Sequence, residues 1–187
     1  MNTKTVAILA VFAALTIALN LSPIKIPAPY APYLIYQIWE IPIVAAFLLY
    51  GIVLGISIAL LNTIVLFAVF PGTLPTGPLY NLAAVLSTLF GVFLAKTLVS
   101  RGSQKHGEPL IASLSTALGI VFRVGVMTLV NWAFLRYPAP VGFSMPEGAI
   151  LLSLPLIAIF NATLALYTIP VGYSVAKAVE VGMKASK

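Results

Sequence analysis

Long apolar stretches, separated by short polar or proline-rich stretches, run through the whole chain. A transmembrane helix needs about 20 mostly apolar residues, and most of these stretches approach or exceed that length with few charges. The pattern predicts an all-α fold, a polytopic membrane protein with a bundle of six transmembrane helices. The predicted helices lie at about residues 5–21, 38–49, 52–70, 79–99, 109–135 and 154–179.

The breaks between the predicted helices differ in kind. Residues 22–33 carry four prolines, which forbid a continuous helix and predict a structured loop. The join at Tyr50 and Gly51 is so short that helix 2 or helix 3 should be short or tilted. Ser153 followed by Pro155 is typical of a cap and a first-turn proline, which predicts that helix 6 starts near Leu154, with a kink at Pro170.

Composition strengthens the membrane prediction. The 187 residues are 61% hydrophobic and only 7% charged, with a mean hydropathy of +1.09, whereas soluble domains carry roughly 25% charged residues. After six helices no length remains for a soluble domain, so residues 1–187 are expected to form a single membrane domain. The chain has no cysteine and one histidine, His106 in a polar loop, so no metal site is predicted.

The basic residues indicate orientation. The formal net charge is +6, but the basic residues are spread thinly and lack the cluster that nucleic acid binding requires. By the positive-inside rule they predict a multi-pass plasma membrane protein with both termini cytoplasmic and three proline-rich loops outside. The outer side carries Lys25 and Arg136. The inner side carries Lys4, Lys96, Arg101, Lys105, Lys177, Lys184 and Lys187.

Polar side chains inside membrane helices are costly, which makes them functional candidates. Four amides, Asn62, Asn81, Asn131 and Asn161, are each expected roughly 5 to 15 Å below the outer surface at 1.5 Å per residue. Amides suit a neutral molecule with several hydrogen-bonding groups, and nearby aromatic rings can stack on a planar ligand. These rings are Tyr36, Trp39, Tyr80 and Trp132. The alternative is that the amides hold helices together, at about 1 kcal/mol each, and the rings form an interfacial belt.

Arg123 lies near the middle of helix 5. An unpaired charge there costs at least about 2.5–3.5 kcal/mol, so the side chain should face the bundle or a partner protein. Glu40 and Glu147, the only acids predicted on the outer side, are possible but distant partners for it. A structural ion pair, snorkelling and contact with a substrate all remain open for Arg123.

Helix 1 carries a stripe of small residues: Ala7, Ala10, Ala14 and Ala18 fall within about 80° of one another on a helical wheel. Such a stripe allows close approach of another helix, either inside the bundle or from a partner. Catalysis has little support, since the chain has no aspartate, no cysteine and no phosphate-binding glycine motif. No acidic residue is expected at the midplane, which leaves binding, or transport driven by a partner.

Four stretches carry a resemblance to a known family: residues 40–51 with Gly55, 77–84, 126–134 and 160–161. In order and spacing they resemble the substrate-binding S components of energy-coupling factor (ECF) vitamin transporters, and are most similar to the riboflavin-binding members. The resemblance covers nearly the whole chain. It implies a vitamin pocket near the outer surface, closed by the loop between helices 1 and 2.

The resemblance further implies uptake with a T component and two cytoplasmic ATPases, with Ala10, Ala14 and Ala18 docking on the T component. Asn131 and Asn161 would bind the isoalloxazine ring of riboflavin, a transported ligand and not a cofactor. Asn81 and the loop around residues 30–36 would line the site. The full set of expected substrate-binding residues is Asn131, Asn161, Asn81, Tyr80, Trp132, Tyr36, Glu40 and Asn62.

One position departs from the riboflavin-binding pattern: Leu164 stands where those members carry a lysine, three residues after the helix 6 asparagine. It keeps open an S component for another vitamin, such as thiamine, folate or pantothenate. A membrane-embedded lipid-modifying enzyme or a structural helix bundle is the alternative from a different class.

Overall fold

The computed structural model describes residues 3–69, 74–101 and 107–185, with the side chain of Arg101 excepted. The predicted all-α bundle of six helices is confirmed. Phe70, Lys105, His106 and Lys187, which entered the sequence analysis, lie outside the described residues. The helices are α1 (Thr3–Leu21), α2 (Glu40–Tyr50), α3 (Ile52–Val69), α4 (Gly77–Arg101), α5 (Glu108–Phe134) and α6 (Glu147–Ala185).

Five helices, α1, α3, α4, α5 and α6, are long and apolar enough to cross a membrane. The sixth, α2, has 11 residues and a length of about 16 Å, which is too short for a hydrocarbon core of about 30 Å. This confirms that one of the two helices at the tight join is short. Gly51 makes the join possible, because its φ of +92° is a conformation that favours glycine.

The short α2 lies in the centre of the bundle and contacts α1, α3, α4 and α6. Its residues Ile43, Val44, Ala45 and Ala46 are all at most 1% exposed. Gly172 of α6 lets that helix approach closely, since a Cβ there would lie 2.7 Å from Val44. The core therefore forms around a helix that does not itself span the membrane.

Helices α4 and α5 approach each other through glycines. A Cβ on Gly91 would lie 2.5 Å from the carbonyl oxygen of Leu118 and 2.7 Å from the Cα of Gly119. No side chain fits between the two backbones at that point. The contact fixes α4 against α5 about two turns from Ala84 and one turn from Arg123, which line the site described below.

The loop after α1 contains a β-hairpin that the sequence analysis did not predict. Strand β1 (Ile26–Ala28) pairs antiparallel with β2 (Ala31–Tyr36), with Ile26 opposite Tyr36. Ala28 and Ala31 are at most 1% exposed. The prolines exclude a helix, as expected, and the two-stranded ribbon satisfies backbone groups that a loop would leave unpaired.

The predicted start of α6 near Leu154 is wrong, because the helix begins at Glu147 and contains both Pro155 and Pro170. The hydroxyl of Ser153 donates to the carbonyl of Ile150 and does not cap a helix. Ile150 and Ile157 pack with Leu135 in a buried cluster, so tertiary packing stabilises the turns before the proline. The helix also continues beyond the predicted end at Val179.

Candidate ligand-binding site

Two adjoining cavities lie between α4, α5, α6 and the β-hairpin. The inner cavity has a volume of about 260 Å³ and reaches Glu40, Arg123 and Leu164. The outer cavity has a volume of about 560 Å³ and extends to the loop after α5 at Phe143 and Met145. Small-molecule sites typically measure roughly 300–1,000 Å³, a range that the outer cavity alone reaches. The two cavities share Tyr33, Leu34, Tyr80, Asn81, Asn131 and Ile157.

A buried ion pair forms the floor of the inner cavity. Arg123 is 2% exposed and Glu40 is 4% exposed. Arg123 Nη1 donates to Glu40 Oε2 at 2.5 Å, and Nη2 donates to Oε1 at 2.9 Å. Arg123 also donates from Nη1 to Thr88 Oγ1 at 3.2 Å and from Nε to Asn161 Oδ1 at 3.0 Å. Four helices, α2, α4, α5 and α6, therefore meet at one polar cluster.

Glu40, expected from the sequence to be a possible but distant partner of Arg123, is in direct contact with it. Glu40 is the first residue of α2, and this short helix begins inside the bundle and not at its outer end. Both carboxylate oxygens accept from the guanidinium in a bidentate pair. Glu40 lines the inner cavity as predicted, but its charge is already neutralised by Arg123.

Three of the four predicted amides line the cavities. Asn161 is 3% exposed, accepts from Arg123 and donates from Nδ2 to the carbonyl of Ile157 at 2.9 Å. Asn131 lines both cavities and donates from Nδ2 to the carbonyl of Met127 at 2.7 Å. Its Oδ1, and the entire side-chain amide of Asn81, have no hydrogen-bond partner among the described residues. These groups can hydrogen-bond a ligand.

Tyr80 lines both cavities and fixes the outer loop. Its hydroxyl donates to the carbonyl of Val141 at 2.9 Å. Thr76, which directly precedes α4, donates from its hydroxyl to the carbonyl of Pro140 at 2.6 Å. These bonds join the start of α4 to the segment between α5 and α6. The outer wall of the site is thus built from two of the predicted outer loops.

The β-hairpin covers the cavities. Tyr33 and Leu34 of β2 line both of them, in agreement with the lining implied for residues 30–36. The hydroxyls of Tyr30 and Tyr36 lie 2.5 Å apart, and the Tyr36 ring packs on Phe160 with centroids 4.9 Å apart. Burial raises the pKa of Tyr30 to about 12, and the hydrogen bond with Tyr36 acts in the same direction. The Tyr30 hydroxyl is therefore neutral near neutral pH.

Asn62, Trp132 and Tyr36, all predicted to bind substrate, do not line either cavity. Asn62 of α3 accepts a hydrogen bond from Asn20 of α1 at 3.3 Å, which is the helix-joining role. Trp132 is 44% exposed and stacks with Arg136, because it follows Asn131 and so points about 100° away around α5. Tyr36 instead lines a separate apolar cavity with Ile24 and Thr163.

Sequence reasoning did not select several apolar lining residues. Met127 lies one turn from both Arg123 and Asn131, and Ile157 and Leu164 lie one turn from Asn161. The helical spacing of three or four residues around each polar position could have identified them. Gln37 also lines the inner cavity, and only the course of the chain after β2 reveals this. Leu164, 5% exposed, makes its part of the wall apolar.

The alanine stripe of α1 lies on the outside of the bundle. Ala7, Ala10, Ala14 and Ala18 are all exposed, while Ala13, Thr16 and Asn20 form the buried face. The interpretation of the stripe as packing inside the bundle is therefore wrong. Its small side chains form a smooth strip open to lipid or to another helix.

Comparison with solved structures shows a likeness of fold. No family model matches the sequence, and no curated protein matches it either. The fold is similar to that of the S component of a bacterial ECF transporter, with a TM-score of 0.78 at 19% sequence identity. The match covers 98% of this chain and 99% of the other. The chain thus has a polytopic helical membrane fold like that of an ECF S component.

Proposed function

We propose that this chain is the high-affinity substrate-binding subunit of an ECF-type vitamin uptake transporter, with riboflavin as its substrate. It would reside in the plasma membrane with both termini cytoplasmic, and deliver the vitamin inward with a T component and two ATPases. ATP hydrolysis takes place on those partners, so the proposal assigns no catalytic residue to this chain.

The observation that carries the proposal is the pair of cavities under the β-hairpin, in a fold like that of an S component. Asn81, Asn131 and Asn161 bring amides to the walls, and Tyr33, Tyr80 and Phe160 bring aromatic rings. A flat heteroaromatic ring with several acceptors and donors matches these groups. The hydroxylated side chain of riboflavin would extend from the inner into the outer cavity.

The charges of the walls favour an uncharged ligand. Among the described lining residues of the two cavities, the only ionic groups are Glu40 and Arg123, which neutralise each other. A carboxylate such as that of folate or pantothenate would find no free cation, and the cation of thiamine would find no free anion. Moving an unpaired charge from water into these cavities would cost roughly several kcal/mol. The cavities therefore favour a neutral vitamin.

The exposed strip Ala10, Ala14 and Ala18 supports the partner assignment. Small residues let two helix backbones approach closely inside a membrane, where packing drives association. The strip lies on α1, away from the cavities, so docking of a T component there would leave the ligand site free.

The proposal is tested on purified protein. Riboflavin fluorescence should be quenched on binding, and mass spectrometry should detect flavin that purifies with the protein. Asn131→Ala should weaken binding about tenfold, the value of one hydrogen bond of about 1.4 kcal/mol. Trp132→Phe is the matched control, because its side chain lies outside the cavities. Pure protein that binds no flavin would exclude riboflavin as the substrate.

Leu164 favours a second candidate, an S component for another vitamin, because its apolar side chain lines the inner cavity where riboflavin-binding members carry a lysine. A thermal-shift screen of water-soluble vitamins separates the two. A ligand at 100 times its dissociation constant adds about 2.7 kcal/mol of stability. The vitamin that raises the unfolding temperature at low concentration identifies the substrate.

A further inference from the structure

Arg123 has one hydrogen-bond donor that no described residue uses. A guanidinium carries five N–H groups. Four of them donate: one from Nε to Asn161, two from Nη1 to Glu40 and Thr88, and one from Nη2 to Glu40. The fifth N–H belongs to Nη2. Arg123 is itself one of the residues that line the inner cavity.

The rigid geometry of the guanidinium gives the direction of the fifth N–H. The group is planar, and one N–H of Nη2 leaves the same edge as the N–H of Nε, roughly parallel to it. The Nε–H donates to Asn161 Oδ1 at 3.0 Å. The unused N–H of Nη2 therefore lies beside the Asn161 side-chain amide. A ligand atom that accepts from this N–H is also close to the Asn161 amide.

The surroundings of this donor specify what it can bind. Glu40 accepts one N–H from Nη1 and one from Nη2, and its negative charge cancels the positive charge of Arg123. The remaining N–H is therefore a strong donor at a site without a net positive charge. Trp39, Phe160 and Leu164 make the neighbouring wall aromatic and apolar. A carbonyl oxygen on a flat uncharged ring satisfies such a donor, whereas a carboxylate would bring a charge that nothing balances.

We propose that Arg123 determines ligand specificity: its Nη2 donates a hydrogen bond to a ring carbonyl oxygen of an uncharged heteroaromatic ligand. This inference rests on the proposed function, since it takes the inner cavity as the ligand site. Arg123 thus both holds Glu40 and Asn161 in place and contacts the ligand itself.

The test compares riboflavin with its 2-thio and 4-thio analogues. Sulfur is a weak hydrogen-bond acceptor, so replacing the carbonyl that Arg123 contacts should weaken binding by wild-type protein roughly tenfold or more. The other thio analogue serves as an internal reference. Dissociation constants are measured by fluorescence quenching or by competition with riboflavin.

Two variants separate ligand contact from structural support. Arg123→Met combined with Glu40→Met removes both charges and leaves no unpaired ion, while Arg123→Lys keeps the positive charge but has no planar second donor. Both should bind riboflavin more weakly and lose the preference for the carbonyl over the thiocarbonyl. Arg136→Met, at an exposed arginine that bonds the Trp132 carbonyl, is the control and should keep that preference.

The outcomes distinguish the two proposals. If wild-type protein binds no flavin, the proposed function and this inference both fail. If it binds riboflavin but discriminates against neither thio analogue, the specificity role is wrong while the function stands. If it discriminates, and a folded variant at Arg123 keeps the same preference, another donor makes the contact and the inference is overturned.

Discussion

The ion pair between Glu40 and Arg123 predicts a strong and non-additive effect on stability. Arg123→Met leaves the Glu40 carboxylate 4% exposed and without its two guanidinium bonds. Removing one partner of a buried pair typically costs about 3–5 kcal/mol, because the remaining charge is uncompensated. For a chain of this size each kcal/mol shifts the unfolding temperature by about 2–4 °C, so the variant should unfold about 6–20 °C lower than wild type.

Glu40→Met should be similarly destabilising, since it leaves Arg123 buried with only Thr88 and Asn161 as partners. The double variant should recover most of the loss, because two apolar side chains replace two charges. Thermal unfolding of the ligand-free protein in detergent, followed by tryptophan fluorescence, measures all three. Lys177→Met is the control: its pair with Glu108 is exposed, so unfolding should hardly change.

Two results would contradict this expectation. The double variant could unfold as early as the less stable single variant, or Arg123→Met could unfold at the wild-type temperature. The first result would mean that the hydrogen bonds to Thr88 and Asn161, and not the cancelled charges, provide the stability. The second would mean that the carboxylate of Glu40 reaches water in the absence of Arg123.

Three further changes test other parts of the molecule. Ala14→Trp should leave ligand affinity unchanged and abolish uptake in cells that contain the partner proteins; unchanged uptake would mean the exposed strip is no docking site. Gly91→Val should cost about 1–3 kcal/mol in thermal unfolding because its Cβ meets Leu118 at 2.5 Å, whereas Gly125→Val, with nothing within 4 Å, should not. The Tyr30 hydroxyl should ionise near pH 12, so the stability that its neutral form contributes is present below pH 10 and is lost as the pH rises through 12. The difference in tyrosinate absorbance between wild type and Tyr30→Phe measures the pH at which Tyr30 ionises.

The spans were predictable because hydrophobic length is a property of the local sequence. The β-hairpin was not, since Pro27 and Pro32 exclude a helix without specifying a strand, and pairing depends on residues ten positions apart, such as Ile26 and Tyr36. The start of α6 was misjudged for a related reason. Local rules place Pro155 in a first turn, but the packing of Ile150 against Leu135 extends the helix before it.

The site was predicted in part. Asn81, Asn131 and Asn161 were selected because amides are rare and costly in membrane helices, and all three line the cavities. The same rule selected Asn62, which bonds Asn20, because cost alone does not distinguish a ligand contact from a contact between helices. The sequence left Glu40 as a possible but distant partner of Arg123, because their direct contact depends on where the short α2 begins.

That starting point also links the floor of the site to its cover. Gln37 lines the inner cavity, and its backbone carbonyl accepts a hydrogen bond from the Tyr167 hydroxyl of α6 at 2.5 Å. Three residues further along the chain, Glu40 pairs with Arg123 of α5. The end of the hairpin nearest α2 is thus held by α5 and α6. Near its other end, Asn20 holds α1 to Asn62 of α3. Opening the cavities without breaking these contacts requires movement of the hairpin tip, or loss of the bonds that hold the loop between α5 and α6 to Thr76 and Tyr80. A ligand bound at Arg123 would therefore lie against the end of the hairpin that α5 and α6 hold, with its outer part against Phe143 and Met145 of the loop between those helices.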